Sequence, residues 1–396
     1  MDSAEREGLR PKGNVPNLRF PEFTGEWEKC TLGDASEFSK ERVNTQNLSS
    51  DNYVATENML QDYQGIIEAS SVPTNTNVIK FNKGDVLLSN IRPYLKKVWF
   101  ADKNGGCSAD VFVFKALSAC IPDFLHYIIA NDRFINFAMS GAKGVKMPRG
   151  DKEQMKTYEI GLPSIEEQKK MAKLLSLLDE RIATQNKIID KLQSLIKGIN
   201  QRVFMNNGIN YKLGEVCEIR SGYSGNQLLS KKGLKVSRIE TISGHKVNME
   251  RVGYVAPFES SDNYRLRVGD ILFSNINSVE YIGNTAFIDK DYDLYHGMNL
   301  LRLTPNNMVV IPFYLYLLLN TNRMLNRFKT VCNKAVSQAS INQTELGKTV
   351  VQIPPINTQE PICELYQALY TKLETESHTK SLFQNQKQYL LRQMFI

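Results

Sequence analysis

One long amphipathic segment occurs twice in this chain. Residues 162–182 read "LPSIEEQKKMAKLLSLLDERI" and the final stretch contains "IPPINTQEPICELYQALYTKL". The register between them holds from Leu162 and Ile353 through Phe204 and Phe395. Pro163 and Pro354 end the strand-like segments that precede them, because proline removes a backbone donor. Ser164 with Glu167, and Asn357 with Glu360, have the spacing of a capping box and predict helix starts there.

The first helix places Met171, Leu175, Leu178, Ile182, Gln185, Ile189, Leu192, Ile196, Ile199 and Val203 at alternating steps of four and three. Nine of these ten are apolar, a coiled-coil seam. The matching positions of the second helix are Ile362, Tyr366, Leu369, Leu373, Glu376, Lys380, Phe383, Lys387, Leu390 and Met394, with a polar middle. A helix of ~40 residues runs ~60 Å, longer than a domain of this size is wide. So narrow a stripe suits a helical partner better than a broad core. The two helices are therefore expected to pair with each other, antiparallel, as a spacer. Leu175, Leu178, Ile182, Ile189, Leu192, Ile196, Ile199, Leu369, Leu373, Phe383 and Leu390 form that interface.

The repeat extends into the preceding segments. "TLGDASEF" at 31–38 matches "KLGEVCEI" at 212–219, "KGDVLLSNIRPY" at 83–94 matches "VGDILFSNINSV" at 268–279, and "IPDFLHYII" at 121–129 matches "IPFYLYLLL" at 311–319. Such order and spacing mark a duplicated domain plus helix rather than a solenoid. Gly-Asp turns lead into short apolar strands, "ADVFVFKAL" and "MNLLRLTP" read as further strands, and helices follow. The fold class is α+β, with two tandem domains of mixed strands and helices. The expected order is an N-terminal tail (1–13), a first domain (14–162), a central spacer helix (163–205), a second domain (206–354) and a C-terminal spacer helix (355–396).

Catalytic signatures are missing. The only [D/E]-x-K triplet, Glu167-Gln168-Lys169, falls in a helix first turn, where acidic residues favour the dipole. "IPPI" at 353–356 lacks the polar and aromatic ends of an adenine-methyltransferase loop, and no phosphate-binding glycine loop occurs. The four histidines have no metal spacing, and six scattered cysteines read as buried thiols. The run "FYLYLLL" at 313–319 is too short to cross a bilayer, and the polar opening has no leader character, so a cytoplasmic location is expected.

Recognition fits better. The net charge is +7, with the excess in the second half and the central helix. Cations also segregate locally, and cations engage phosphates while Arg, Asn and Gln read base edges. In the first domain the DNA-binding candidates are Asn90, Arg92, Tyr94, Lys96 and Lys97 of "SNIRPYLKK", with Lys143, Lys146 and Arg149 of "SGAKGVKMPRG". In the second they are Lys231, Lys232, Arg238, Asn275, Asn277, Lys329, Lys334 and Gln338. For any single lysine, a solvated loop is the competing reading.

Taken together, the opening "NVPNLRFPEFTGEWEKCTLGD", the two "GD[VI]L[LF]SNI" strands and the duplicated proline-led helices resemble the specificity subunits of type I restriction–modification systems. The resemblance covers nearly the full chain; "MDSAEREGLRPKG" has no counterpart in it. It implies that each domain recognises one half of a bipartite, gapped DNA site, while the coiled coil sets the gap and docks methyltransferase subunits. It implies two such subunits, carrying S-adenosylmethionine, and restriction subunits using ATP and magnesium, with no cofactor or metal on this chain. Two other readings stand beside it: a self-contained DNA-modifying enzyme, and a protein-interaction scaffold that binds no DNA.

Overall fold

The computed structural model describes residues 13–204, 208–334 and 338–396. Residues 1–12 of the expected tail, 205–207 at the junction of the expected spacer and the second domain, and 335–337 within the basic run 326–342 lie outside the described residues. The chain divides into two compact units, residues 1–186 with 378–396 and residues 187–377. Both long helices, Ile165–Val203 and Ile356–Gln393, are thus shared between the units. That differs from a division in sequence order, because each domain packs on part of each helix.

In the first unit a four-stranded antiparallel sheet runs Ser36–Phe38, Val111–Ala116, Val86–Ser89, Val98–Phe100. Strand alternation splits its side chains between two cores. Val86, Leu88, Phe112 and Phe114 face the helices Pro122–Ile129 and Asp132–Ser140. Leu87, Val111 and Val113 face Phe81 and Trp99, under a second four-stranded sheet. Glu28–Thr31 pairs with Glu159–Leu162 and brings the two ends of the domain together.

The second unit repeats this plan. Cys217–Ser221, Leu300–Pro305, Ile271–Ser274 and Thr285–Phe287 follow the same strand order, and Ile209–Lys212 pairs with Val350–Ile353 as the closing ladder. Gly84 (φ 92°) and Gly269 (φ 97°) make the equivalent left-handed turns before the equivalent strands. The apolar run at 313–319 is a core helix, Pro312–Leu319, buried along six residues.

The seam positions of both helices are buried or half-buried throughout the described lengths. Leu175, Leu178 and Ile196 are buried; Ile182, Ile189, Leu192, Ile199, Leu369, Leu373, Phe383 and Leu390 are half-buried. Within the first unit, Met171 and Leu175 share a core with Leu391 and Met394, Asp179 pairs with Lys387, and Arg181 lies over the Phe383 ring. Within the second, Tyr366 bonds Asn200 and its ring meets Phe204. Rising numbers on one helix meet falling numbers on the other, so the pairing is antiparallel. The polar seam residues Gln185 and Glu376 are both buried.

Two expected helix caps are built differently. Ser164 Oγ does accept from the Glu167 N–H at 3.3 Å, but the Glu167 carboxylate turns to Arg19, 2.7 Å away, instead of closing a capping box. The second helix starts at Ile356, so Asn357 is already inside it and Pro355 supplies the first accepting carbonyl. What each helix start shares is a buried glutamine. Gln168 accepts from the Ile121 N–H and donates to the Ala119 and Pro163 carbonyls; Gln359 accepts from Ile311 and donates to Val309 and Pro354. Each amide ties its long helix to the short helix of its own domain.

Among the described residues no helix is long and apolar enough to cross a membrane. The six cysteines are unpaired, five of them buried, and burial pushes the Cys107 thiol up to about 12.

Candidate nucleic-acid interface

The two basic stretches of the first domain are distant in sequence and adjacent in the fold. After the strand Val86–Ser89 the chain leaves the sheet at Asn90, whose carbonyl accepts from the Gly150 N–H at 3.2 Å. Ile91 then bridges to Arg149, and the Arg92 N–H donates to the Pro148 carbonyl at 2.8 Å. Lys143 and Arg149 close residues 143–149 into a hairpin through reciprocal backbone bonds of 2.9 Å. Arg92 (φ 52°) and Lys96 (φ 53°) flank the turn Pro93–Leu95 in the left-handed region, uncommon for non-glycine residues. The turn and the hairpin form one platform.

The second domain builds the same junction. Asn275 accepts from the Ile341 N–H at 2.9 Å, Ile276–Asn277 pairs with Ala339–Ser340, and Asn333–Lys334 completes the hairpin. Arg149 and Ser340 occupy equivalent places, paired with Lys143 and Asn333 respectively. The buried Oδ1 atoms of both Asn90 and Asn275 have no hydrogen-bond partner in the described structure.

Side-chain commitments separate the candidates. Arg92 and Tyr94 are exposed on the turn, and Lys146 on the hairpin; no side-chain bond or ion pair ties these three among the described residues. Arg149 is half exposed and reaches Asp110 at 3.2 Å. Lys143 is exposed and bonds Asp151 at 2.8 Å; that bond, with the backbone N–H groups of Gln154 and Glu153, holds the Asp151 carboxyl below its ordinary value. Lys96 and Lys97 face inward. Lys96 pairs with Asp132 at 2.9 Å, and Lys97 donates to the Thr56 carbonyl at 2.7 Å. Burial opposes the charge on Asp132, but bonds from Lys96 and Tyr63 outweigh it and its pKa falls below the ordinary value.

In the second domain Lys334 and Gln338 are exposed on the hairpin, and Asn277 bonds Ser274 Oγ at 3.1 Å. Lys329 is half-buried in the helix Asn322–Val331. Lys231, Lys232 and Arg238 flank the separate two-stranded pair Leu234–Val236 and Gly253–Val255; among the described residues no strand pairing joins them to the hairpin platform. Reading the sequence missed the exposed apolar tip of the first hairpin, Val145 and Met147, and the anchoring roles of Asp110, Gln168 and Gln359. The duplicated "Q" after each proline was the one available signal for the glutamines.

Residues 24–194 and 208–382 each match the family described as Type I restriction modification DNA specificity domain. The chain is 38% identical over 188 residues to a candidate specificity subunit of the type I restriction enzyme MjaX from Methanocaldococcus jannaschii, a match spanning 46% of this chain and 44% of the relative. It is 25% identical over 409 residues to the MjaVIII specificity subunit of the same organism, covering 94% of this chain and 92% of the relative. In fold it resembles the crystal structure of the S subunit from M. genitalium, with a TM-score of 0.63 at 17% identity, covering 96% and 99% of the two chains. Two family matches along the chain, laid over two repeats of one architecture, place this protein in the type I restriction–modification DNA specificity family.

Proposed function

We propose that each turn-and-hairpin platform contacts one half of a bipartite, gapped duplex site, and that the helix pair sets the gap. As a member of the specificity family the chain is the DNA-recognition subunit of a type I restriction–modification system, a role of selection rather than catalysis. Such subunits bind DNA and assemble with other subunits. The observation that carries the platform reading is its duplication: the junction at Asn90, Ile91 and Arg149 recurs at Asn275, Ile276 and Ser340. Exposed cations on both hairpins supply phosphate contacts, and differences between the two turns supply different base readout.

The finer assembly follows from the family reading. Two methyltransferase subunits dock along the helix pair and bring S-adenosylmethionine; restriction subunits bring ATP and magnesium; the complex works in the cytoplasm. The exposed helix residues Leu177, Leu195, Leu365 and Leu382 support a further protein partner on these helices.

The test is methylation-aware sequencing of DNA from cells that make this chain with its methyltransferase subunit. The expected result is a two-part motif with a fixed gap that disappears without the chain. Exchanging residues 14–162 for those of a relative changes one half of the motif and leaves the other. Methylation that is independent of the chain would overturn the reading.

A further inference from the structure

The two domains differ at one buried position. In the first domain Val113 (2% exposed) lies cross-strand from Leu87 on the second face of the sheet, and its carbonyl accepts from the Ser39 N–H. The matching residue of the second domain is Arg302, 8% exposed and cross-strand from Leu272. On its other side it faces Arg220 in register. A buried valine has become a buried arginine with a second arginine as its cross-strand neighbour.

Like charges directly opposite across an antiparallel pair repel, and burial sharpens the effect. A carboxylate against Arg302 would balance it, but among the described residues no ion pair to Arg302 is formed. Its Nη1 donates to the Arg265 carbonyl at 3.2 Å, and its Nε has no partner. The nearby acids are committed elsewhere. Asp270 accepts from the Arg267 N–H at 2.8 Å and the Thr304 hydroxyl at 2.6 Å, and Glu218 holds Arg220 at 2.6 Å. Arg265 turns away to Asp291 at 2.9 Å, while Asp262 stands exposed on the rim. Arg302 lines a cavity of about 290 Å³ together with Arg220, Arg265 and Arg267, and with the same acids, Glu218, Asp262 and Asp270. At about 30 Å³ per water, that space holds a tetrahedral oxyanion with several waters. It opens at the Gly269–Asp270 end of the strand Ile271–Ser274, whereas the hairpin platform joins the other end, at Asn275.

We propose that this cavity binds a phosphate-class oxyanion, gripped by Arg302 and Arg267, with Arg220 beside them. Guanidinium forks suit phosphate oxygens, and an anion between the opposed arginines removes their repulsion. The first domain has Val113 and Ser39 in these places and lacks both arginines. The ligand therefore acts on the second domain alone.

Thermal unfolding of the full chain tests this, with inorganic phosphate compared against sodium chloride at matched ionic strength. The expected result is a saturable rise in Tm of several degrees with phosphate. Arg302→Val, which installs the first domain's residue, abolishes the rise, and so does Arg267→Gln at an exposed position that leaves folding intact. Duplex retention, measured in parallel, identifies the source of the anion. If phosphate competes with the duplex, and Arg267→Gln lowers the salt slope of retention by about one unit, the anion is a DNA backbone phosphate. If retention is unchanged by either, the ligand is a free phosphate compound. The proposal is overturned if phosphate and chloride act alike and Arg267→Gln leaves retention unchanged. It is equally overturned if the phosphate response survives both substitutions.

Discussion

The ammonium of Lys387 lies 2.5 Å from Asp179 Oδ1, across the two long helices, while Asp179 Oδ2 receives the Tyr127 hydroxyl at 2.9 Å. Lys387 also stands over the Tyr127 ring. One carboxylate thus joins both helices to the first domain. At the repeat-equivalent places the second domain has Tyr370, Ile196 and Leu317, so its corresponding contact is apolar.

Asp179→Asn should therefore destabilise the first unit selectively. Asp179 is over one-third exposed, which discounts the ion pair, and a loss of about 1–2 kcal/mol is expected. Lys387→Met should cost a similar amount, and the double variant less than the sum. Urea unfolding of the four proteins at low and high salt measures the coupling, which should shrink as salt rises.

Gln168→Leu and Gln359→Leu should each be strongly destabilising. Each substitution strands one buried backbone N–H and two carbonyls that the amide now satisfies. A cost of about 2–4 kcal/mol follows for each. Comparable midpoint shifts in the two variants are the signature of an equivalent latch. A shift near zero in either would show that the amide is not holding its helix.

Stability should fall with acid below the ordinary histidine range. Burial lowers the His126 pKa from 6.5 to about 3, with Lys387 adding to the shift, and lowers His296 to about 4. Both rings stay neutral in the fold, while the unfolded chain takes up protons below about 6.5. Stability is thus complete above that pH and is lost as pH falls toward the folded values. At pH 5 the loss is roughly 2 kcal/mol from His126 alone. His126→Phe, which keeps the ring beside Phe100, should flatten this acid limb in a series of melting curves.

Cations of the first platform should divide by what they touch. Arg92→Gln and Lys146→Gln should weaken duplex retention and each lower its salt slope by about one unit, with Tm unchanged. Lys96→Met should do the reverse, because Lys96 is tied to Asp132 and lies over Tyr63. Retention assays at several salt concentrations, beside melting curves, separate the two groups.

The duplication, the strand-then-helix order of each half and the antiparallel seam were legible in the sequence. All three are periodic, and periodicity survives without coordinates: a two-in-seven stripe suits a helical partner better than a broad core. The basic stretches were legible as composition, and their meeting was not. Residues 90–97 and 141–150 are brought together by strand closure, which local pattern does not encode. That closure turns Lys96 and Lys97 inward and leaves Arg92 and Lys146 free. The caps differ for the same reason. Ser164 and Glu167 have capping-box spacing, yet Arg19, far away in the chain, claims the carboxylate.

Sequence alone therefore determined the architecture and the family, because hydrophobic spacing and repeat order are properties of the chain itself. Tertiary structure decided which charges are available, since a charge is free or committed according to what folding places within about 3 Å of it. Arg302 marks that boundary. In the sequence it is one arginine of a strand; in the fold it is a buried cation facing another, at the place where the other domain keeps a valine.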